Sequence, residues 1–352
     1  MFHKQQRIAH RNMVKVDINN GKKVLESETG MRLIDILASQ NIFVPSACGS
    51  NGRCGLCKVK ISSAAIISDA DRKLLSESEI SDGVRLACQV LVNADMSIEI
   101  PSEFLGAKDF ESVVSSKKFL THDIVELTLA LKQPAGINFN AGQYITVKMP
   151  AHGEVKAAMR PFSIASSSTT TSLIQLNIRL NPQGTVTPWI FNELNEGTTL
   201  NFNGPRGNFY LRNTEKPLIF IAGGSGMAPV RSILQTMNAF NINRKTLYFF
   251  GALTQRDLFY LDEMASFEKT LPDFTFIPAL SNEPSGSGWT GQTGLITEVV
   301  DRVCAFSLNG YEAYLCGKPA MVDGCIAVLE KKGIDKSNAF FDLFNSPKPA
   351  VK

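Results

Sequence analysis

The 352-residue sequence contains no apolar run that approaches the length of a membrane span, which needs about 20 residues. Its first twelve residues carry basic side chains but no apolar core, so no secretory signal is predicted. A net charge of only +3 argues against a dedicated nucleic-acid-binding protein. Seven cysteines, three of them within ten residues, suggest no disulfide framework and fit a reducing compartment. We therefore expect a cytoplasmic protein.

Three of the cysteines alternate with glycines between Cys48 and Cys57, and a fourth stands alone at Cys88. Three clustered thiolates and one distant thiolate form the plant-type ligand set of a [2Fe–2S] cluster. The glycines suit such a loop, because a chain wrapped around an inorganic core needs turns with positive φ and N–H groups close to sulfur. The sequence therefore predicts that Cys48, Cys54, Cys57 and Cys88 hold a [2Fe–2S] cluster.

The alternative for these four cysteines is a structural zinc site. Zinc sites of this kind usually present two pairs of closely spaced cysteines, whereas here only Cys54 and Cys57 form such a pair. The loop also departs from the plant-type spacing, since five residues separate Cys48 from Cys54 instead of the usual four. This longer loop leaves the cluster type unchanged and concerns only the geometry of the loop.

Hydrophobic patterning around the cysteine loop predicts a small first domain. Residues 14–25 form a hairpin, and a helix over residues 32–40 follows, with Thr29 as its cap. The cysteine loop and further strands come next, which is the order of elements in a β-grasp ferredoxin domain. We predict this domain over residues 13–103, with a linker at 101–109.

The pattern then changes twice. Short alternating strands with glycine, proline and asparagine turns predict an antiparallel β-barrel over residues 108–213. Strands alternating with helices predict a parallel sheet with right-handed crossovers over residues 216–346. The expected fold class is thus multidomain, combining α+β and α/β architectures.

Two short motifs in the predicted barrel suit a flavin. An Arg-Pro-Phe-Ser sequence ends one strand, where the planar guanidinium of Arg160 matches a pyrophosphate and the Ser163 hydroxyl could reach flavin N5. A glycine turn at Gly184 opens a short helix, where the Thr187 hydroxyl and nearby N–H groups suit phosphate oxygens. Taken singly, the two motifs are better explained as a surface arginine and an ordinary helix cap.

The predicted parallel sheet carries two strand-to-helix turns. An apolar strand at 218–222 is followed by a helix that Pro229 opens, and between them lies the turn Gly223, Gly224, Ser225 and Gly226. A strand, a glycine turn and a helix N-terminus form a pyrophosphate site for a dinucleotide. No G-K-[ST] sequence follows, which argues against nucleoside triphosphate hydrolysis. The second turn, Cys316-Gly317, lies at the carboxyl edge of the sheet, where ligands bind.

Taken in order, these motifs resemble the ferredoxin–NADP reductase superfamily. The resemblance covers about residues 14–344 and is strongest to members with an N-terminal ferredoxin domain. Such members include the reductases of phenol hydroxylase and methane monooxygenase, and CDP-6-deoxy-3,4-glucoseen reductase. It implies bound FAD, with Arg160, Phe162 and Ser163 at the flavin and Thr187 at its phosphates.

The resemblance also implies a nicotinamide nucleotide at the glycine turn, with Cys316 and Gly317 near the nicotinamide. The C-terminal segment 340–344 resembles a family tail whose aromatic and acidic residues lie beside the flavin. On this basis Ser163, Cys316 and Phe344 are the predicted catalytic residues.

The implied activity is an NAD(P)H-dependent oxidoreductase that passes electrons from NADH through FAD and the cluster to an external acceptor protein. That acceptor would be an oxygenase component or a deoxysugar dehydratase. Flavin is needed because nicotinamide delivers two electrons whereas the cluster accepts one. One alternative is a quinone reductase, since the flavoprotein component of the sodium-pumping quinone reductase is similar but begins with a membrane anchor that this sequence is expected to lack. A redox-sensing module that binds nucleotide without a dedicated acceptor is the other.

Two charge patterns give further expectations. An NADP site needs cationic side chains near the end of the second strand of the sheet, where Arg256 is followed by Asp257, so we predict a preference for NADH over NADPH. Around the cysteine loop the charged residues are Arg53, Lys58 and Lys60. They predict a mildly positive rim that steers an acidic patch of the acceptor, although side chains that point elsewhere would explain the pattern equally well.

Overall fold

A computed structural model of the chain describes residues 13–40, 42, 44, 50, 52, 55, 57–62, 66–101 and 103–344. The described residues form two compact units, which divide between Ala107 and Lys108. The first unit carries the cysteine motif. The second holds both the predicted barrel and the predicted parallel sheet.

The first unit is a small mixed sheet covered by short helices. Its elements are β1 Met13–Ile18, β2 Lys23–Glu28, β3 Met31–Arg32, α1 Leu33–Ser39, β4 Lys58–Ile61, α2 Asp69–Leu74, α3 Glu77–Ser81, β5 Val84–Leu86, β6 Leu91–Val92, β7 Met96–Glu99 and α4 Glu103–Gly106. The main sheet has the strand order β2-β1-β7-β4-β5, in which β1 and β7 are parallel and the other neighbours antiparallel. Alternate residues of β1 are buried and share one core with the apolar face of α1. The predicted β-grasp arrangement is confirmed.

One local prediction in this unit was wrong. Thr29 does not cap α1, because Met31 and Arg32 form a strand that pairs with β6 and keeps the chain extended up to the helix. The N-terminal cap position is Arg32, whose side chain instead pairs with Asp35 at 2.7 Å. The predicted linker at 101–109 contains α4 and the first residues of the next strand.

The barrel is built from six antiparallel strands and one helix. These are β8 Lys108–Phe119, β9 Ile124–Gln133, β10 Tyr144–Met149, β11 Ala158–Ser163, β12 Leu173–Arg179, α5 Val186–Asn192 and β13 Thr199–Arg206. The strand order is β11-β10-β13-β8-β9-β12, and a bridge between Ile164 and Leu176 joins the two outer strands. Inward-facing residues of all six strands form a single core, as the alternating pattern predicted.

The rest of the second unit is a six-stranded parallel sheet with helices on both faces. Its elements are β14 Leu218–Gly223, α6 Met227–Ala239, β15 Thr246–Ala252, α7 Leu261–Thr270, β16 Phe274–Leu280, β17 Gln292–Thr293, α8 Ile296–Val303, β18 Glu312–Gly317, α9 Pro319–Lys331 and β19 Ala339–Leu343. Helices α6 and α7 bury one face of the sheet, and α8 and α9 bury the other.

The strand order of this sheet, β17-β16-β15-β14-β18-β19, defines where a ligand can bind. Strands β15, β16 and β17 extend to one side of β14, whereas β18 and β19 lie on the other. The order therefore reverses at β14. A crevice opens outside the carboxyl ends of β14 and β18, which is the general ligand site of open parallel sheets.

Candidate functional site

Two of the four predicted cluster ligands lie together at one end of the paired strands β4 and β5. Cys57 directly precedes β4 and Cys88 follows β5, and the antiparallel pairing of these strands brings both residues to the same place. Their Sγ atoms are 3.3 Å apart, which is too long for a disulfide, and both side chains are buried. Cys48 and Cys54 lie outside the described residues, so their convergence on this pair remains a prediction.

The surroundings of Cys88 favour the thiolate, which is the form that binds metal. The hydrogen bond with Cys57 lowers the pKa of the Cys88 thiol to about 6, and further hydrogen bonds from the Gln89 side-chain amide and the Gly52 backbone act in the same direction. N–H groups aimed at a ligand sulfur are typical of iron–sulfur sites. The residues present therefore fit a [2Fe–2S] cluster. Neither the spacing nor the composition had indicated Gln89.

The two described glycines of the cysteine loop have the conformation that the sequence predicted. Gly52 and Gly55 have φ values of 65° and 68°, in the left-handed region. A Cβ atom on Gly52 would also lie 2.8 Å from the Gln89 amide nitrogen that contacts Cys88. At Gly52, both the backbone conformation and the close approach require glycine.

The predicted basic rim is weaker than the sequence suggested. Lys58 pairs with Glu79 at 2.6 Å, and that contact lowers the pKa of the Glu79 carboxyl. Lys60 is exposed, whereas Arg53 lies outside the described residues. The described part of the rim therefore offers one lysine whose charge is offset and one that is exposed.

The predicted flavin residues lie on β11, an outer strand of the barrel. Ser163 is buried at the end of this strand, and its hydroxyl makes no hydrogen bond to any of the described residues, so it is available to a ligand. Phe162 and Arg160 are half-buried, and an Arg160 guanidinium nitrogen donates to the Met159 carbonyl at 2.7 Å. A hydroxyl and a guanidinium are groups that suit the polar edge and the pyrophosphate of a flavin, so the assignment of Ser163 and Arg160 to FAD stays a prediction.

Thr187 lies in the first turn of α5, as predicted, but its hydroxyl is engaged within its own loop. It accepts from the Asn181 N–H at 2.9 Å and donates to the Asn181 carbonyl at 3.2 Å. Because a hydroxyl has one proton, Thr187 cannot also donate from Oγ1 to a phosphate in this arrangement. Its observed role is to hold the turn that contains Gly184.

The glycine turn follows β14, the strand at which the sheet order reverses. Gly224 to Gly226 form one turn of 3₁₀-helix, from which α6 continues, so the N–H groups of this helix end face the crevice. A Cβ atom on Gly226 would lie 2.3 Å from the Cys316 carbonyl oxygen. The backbones of β18 and of the helix start thus come too close for any side chain, and the cradle fits a dinucleotide pyrophosphate.

Cys316 is fully buried beside this turn, with Ala222 of β14 on one side and Asp342 of β19 on the other. Burial, with a smaller contribution from Asp342, raises the pKa of the Cys316 thiol well above its usual value. Burial likewise raises the pKa of the Asp342 carboxyl to about 6. Cys316 is therefore a neutral thiol and cannot act as a thiolate at physiological pH.

The C-terminal segment is a strand of the sheet, which the sequence had not indicated. Residues 339–343 form β19 alongside β18, and the Phe344 N–H donates to the Gly317 carbonyl at 2.8 Å. Phe344 is half-buried against the core beneath α6 and α7. The fold thus brings Phe344, Gly317 and Cys316 to the carboxyl edge that also carries the glycine turn.

Arg179 is a candidate site residue that sequence reasoning missed. It ends barrel strand β12, and a Cβ atom on Gly224 would lie 3.0 Å from its Nη1 atom. Its Nε atom donates to Asp123 at 2.7 Å, which holds the guanidinium in place. A cation therefore lies beside the glycine turn. No local pattern could have shown this, because the two residues come from different parts of the second unit.

The turn after β15 is rich in carboxylates. Asp257 accepts from both the N–H and the hydroxyl of Thr254 at 2.9 Å, and Glu283 accepts from the backbone and side chain of Gln255. Arg256 is exposed, and among the described residues it has no ion pair with Asp257. From the sequence, Asp257 alone was expected to offset the charge of Arg256. In the structure two ordered carboxylates flank the turn, which disfavours a 2′-phosphate.

Three protein-family models match successive parts of the chain. They are a 2Fe-2S iron-sulfur cluster binding domain over residues 16–93, an oxidoreductase FAD-binding domain over 111–210 and an oxidoreductase NAD-binding domain over 220–326. The predicted cofactors, a [2Fe–2S] cluster, FAD and a nicotinamide nucleotide, and the predicted class of NAD(P)H-dependent oxidoreductase are thereby confirmed.

The whole chain is similar to known reductases. One component of the Na(+)-translocating NADH-quinone reductase of Neisseria meningitidis is 32% identical over 92% of this chain and 90% of its own length, and the corresponding protein of Methylococcus capsulatus is equally similar. Among solved structures, the cytochrome P450 reductase GcoB of Amycolatopsis has a TM-score of 0.77 at 26% identity, covering 95% of this chain and 100% of its own. The ferredoxin reductase of carbazole 1,9a-dioxygenase has a TM-score of 0.72 at 25% identity, covering 96% and 99%.

The relatives thus include the quinone reductase class that the sequence reading had disfavoured. Among the helices of the described residues, none is long and apolar enough to cross a membrane. The order of the three matched domains, the paired cysteines and the glycine turn at the sheet reversal agree with the similarity over nearly the full length of the chain. The chain therefore belongs to the ferredoxin–NADP reductase superfamily, in the group whose members carry an N-terminal [2Fe–2S] domain.

Proposed function

We propose that this protein takes electrons from NADH and delivers them, through FAD and the [2Fe–2S] cluster, to a separate acceptor protein, with an oxygenase component as the favoured class. The observation that supports this is that the parts of the chain expected to bind the cluster and the nucleotides lie in different compact units. The cysteine pair lies in its own compact unit, whereas the flavin and nucleotide segments share the other. The similarity to GcoB and to the carbazole dioxygenase reductase, over nearly all of each chain, favours an oxygenase over a deoxysugar dehydratase.

In this proposal residues 13–103 hold the cluster, residues 108–213 hold FAD and residues 216–346 hold NADH. Bound FAD would accept the electron pair of NADH and release single electrons to the cluster. We place the reaction in the cytoplasm, where NADH is available and cysteine thiols stay reduced.

The chain's own residues would position the nicotinamide nucleotide. The turn Gly223 to Gly226 would hold its pyrophosphate with backbone N–H groups, and Arg179 would add a positive charge from the barrel side. The Cys316 thiol, kept neutral by burial, would pack against the nicotinamide ring together with Gly317 and Phe344.

The flavin would be held from the barrel. Arg160 would neutralise its pyrophosphate, and the Ser163 hydroxyl would donate a hydrogen bond to the ring edge where the proton is gained and lost. Phe162 would pack against the ring. At the phosphates we assign Thr187 a supporting part, since its hydroxyl holds the turn and leaves backbone N–H groups to bind oxygen.

The test compares two cysteine variants of the full-length protein after anaerobic purification. Cys88→Ser should lose iron and the NADH-dependent reduction of cytochrome c, while the reduction of ferricyanide by NADH continues. Cys325→Ser, which alters a buried cysteine of the nucleotide-binding part, is the matched control and should keep both activities. Stoichiometric zinc in place of iron, or unimpaired cytochrome c reduction by Cys88→Ser, would exclude the proposed electron path.

A quinone-linked role is the second candidate, because relatives named as components of the Na(+)-translocating NADH-quinone reductase match over 92% of the chain. In that case the acceptor would be a partner protein at a membrane. NADH-dependent reduction of a quinone in membrane vesicles, stimulated by the added protein, would favour this role. Reduction of a purified oxygenase component without membranes would favour the first.

A further inference from the structure

A buried arginine joins the two parts of the second unit. Arg231, in the second turn of α6, donates through Nε to Glu263 of α7 at 2.7 Å. Its Nη1 atom donates to the Ala165 carbonyl at 3.1 Å and to the Gln175 side chain at 2.9 Å, both on the barrel. The Arg231 side chain is only 9% exposed. One guanidinium fork therefore holds the nucleotide-binding part and the barrel together.

The two ends of this link lie close to the candidate site. Ala165 is two residues after Ser163, so its carbonyl lies directly beyond the end of the strand that carries the predicted flavin residues. Arg231 is five residues after Gly226, so it belongs to the helix that the nucleotide turn opens. Because the link spans so few residues on each side, a shift of the guanidinium would move the turn relative to the flavin strand.

Neighbouring contacts reinforce the same boundary between α6 and the barrel, which we call the seam. The Ser232 hydroxyl donates to the Ser166 carbonyl at 2.6 Å, with both residues buried, and the Ser168 N–H donates to the Thr236 hydroxyl of α6 at 3.1 Å. These bonds run along α6 beside Arg231. The helix is therefore fixed to the barrel at successive turns.

Tyr260 closes the seam from the other side of Arg231. Its hydroxyl donates to Glu126 of β9 at 2.5 Å, and its ring lies 4.4 Å from the Arg231 guanidinium carbon. Tyr260 has a φ of 59°, a strained conformation for a bulky residue that persists only where surrounding contacts impose it. The seam thus holds a strained residue in place.

We propose that Arg231 is a positioning residue for the reduction of the flavin by NADH, because it fixes the nucleotide turn relative to the flavin strand. This inference rests on the proposed function. Transfer of the electron pair requires reacting atoms about 3–3.5 Å apart, and a misplacement of about 1 Å can slow such a step about 100-fold. The binding of NADH itself depends mainly on the turn, which the link does not contact.

The experiment uses Arg231→Lys in the full-length holoprotein. Lysine keeps the charge beside Glu263 but cannot span Glu263, Ala165 and Gln175 with one planar fork. The matched control is Arg244→Lys. Arg244 is also a buried arginine, paired with Glu312 at 2.9 Å, but it lies at the amino ends of the strands, away from the glycine turn.

Stopped-flow reduction by NADH gives the rate and the apparent Kd, and amide hydrogen exchange of the peptide around Ser168 reports on the seam without turnover. For Arg231→Lys we expect a rate at least tenfold lower, an apparent Kd within threefold of wild type and faster exchange at Ser168. For Arg244→Lys we expect a similar loss of thermal stability, with the rate within twofold and the exchange unchanged.

A rate within twofold of wild type for Arg231→Lys would overturn the proposal, and so would an equal slowing by Arg244→Lys. If Arg231→Lys does not fold, Ser232→Ala serves in its place, because it removes one bond of the same seam. A slowing of at least threefold would then support the proposal, and a wild-type rate would overturn it. Failure of the wild-type flavin to be reduced by NADH would instead refute the proposed function.

Discussion

Gly226 offers a sharp test of the nucleotide cradle. Its φ of −62° suits any residue, so replacement by alanine adds one methyl group without backbone strain. That Cβ atom would lie 2.3 Å from the Cys316 carbonyl oxygen and 2.9 Å from its carbonyl carbon. Since carbon–oxygen contacts are ordinarily no shorter than about 3.3 Å, the end of β18 and the start of α6 must separate by about 1 Å.

Two effects should follow from this separation. Overpacking of this kind costs about 1–3 kcal/mol, which for a unit of this size lowers the Tm by about 2–10 °C. A displacement of about 1 Å in a catalytic site can reduce the rate about 100-fold. For Gly226→Ala we therefore expect kcat/KM for NADH, measured with ferricyanide as acceptor, to fall by about one to two orders of magnitude.

Gly324→Ala is the matched control. It adds the same methyl group in α9, where the nearest atom is a Thr297 methyl carbon at 3.0 Å and where alanine also favours the helix. We expect its kcat/KM to stay within twofold of wild type. If Gly226→Ala retained both the wild-type Tm and the wild-type kcat/KM, the close approach of Cys316 would be wrong. A lower Tm with unchanged kcat/KM would show that the contact is structural and does not shape the nucleotide site.

Three further predictions concern the cofactors and the tail. NADH should exceed NADPH in kcat/KM, because the carboxylates of Asp257 and Glu283 flank the turn that would meet a 2′-phosphate; a tenfold advantage for NADPH would reverse this. A chain truncated to begin at Lys108 should still reduce ferricyanide with NADH but reduce cytochrome c poorly, and undiminished cytochrome c reduction would show that the cluster is not the exit. Asp342 has a folded-state pKa raised to about 6 from its usual value of about 3.9, so the stability linked to its protonated form is present below about pH 4 and is lost as the pH rises through 6. Asp342→Asn should therefore be more stable than wild type above pH 6, by about 1–3 kcal/mol, and similar below pH 4; equal pH profiles of the Tm would contradict the raised pKa.

Much of the fold could be read from local patterns. Period-two alternation placed most strands of the barrel, and apolar strands followed by helices placed the core of the parallel sheet. The errors occurred where pairing overrode local preference. Thr29 has the composition of a helix cap, but the pairing of β3 with β6 moved the helix start to Leu33. Strand β19 was read as a tail because its five residues carry no alternation and depend on β18 for their conformation.

The chemistry of the cofactor sites could be inferred from the sequence, because that chemistry depends on residue types at short spacings. Cysteine spacing indicated the cluster, and a glycine turn after an apolar strand indicated the nucleotide. The tertiary structure decided which distant groups complete those sites. It placed Arg179 beside Gly224, set Asp342 against Cys316 and buried Arg231 of α6 between the barrel and α7. These contacts join residues that lie far apart in the chain, so they arise only once sheet register and helix packing are fixed, and no local pattern encodes them.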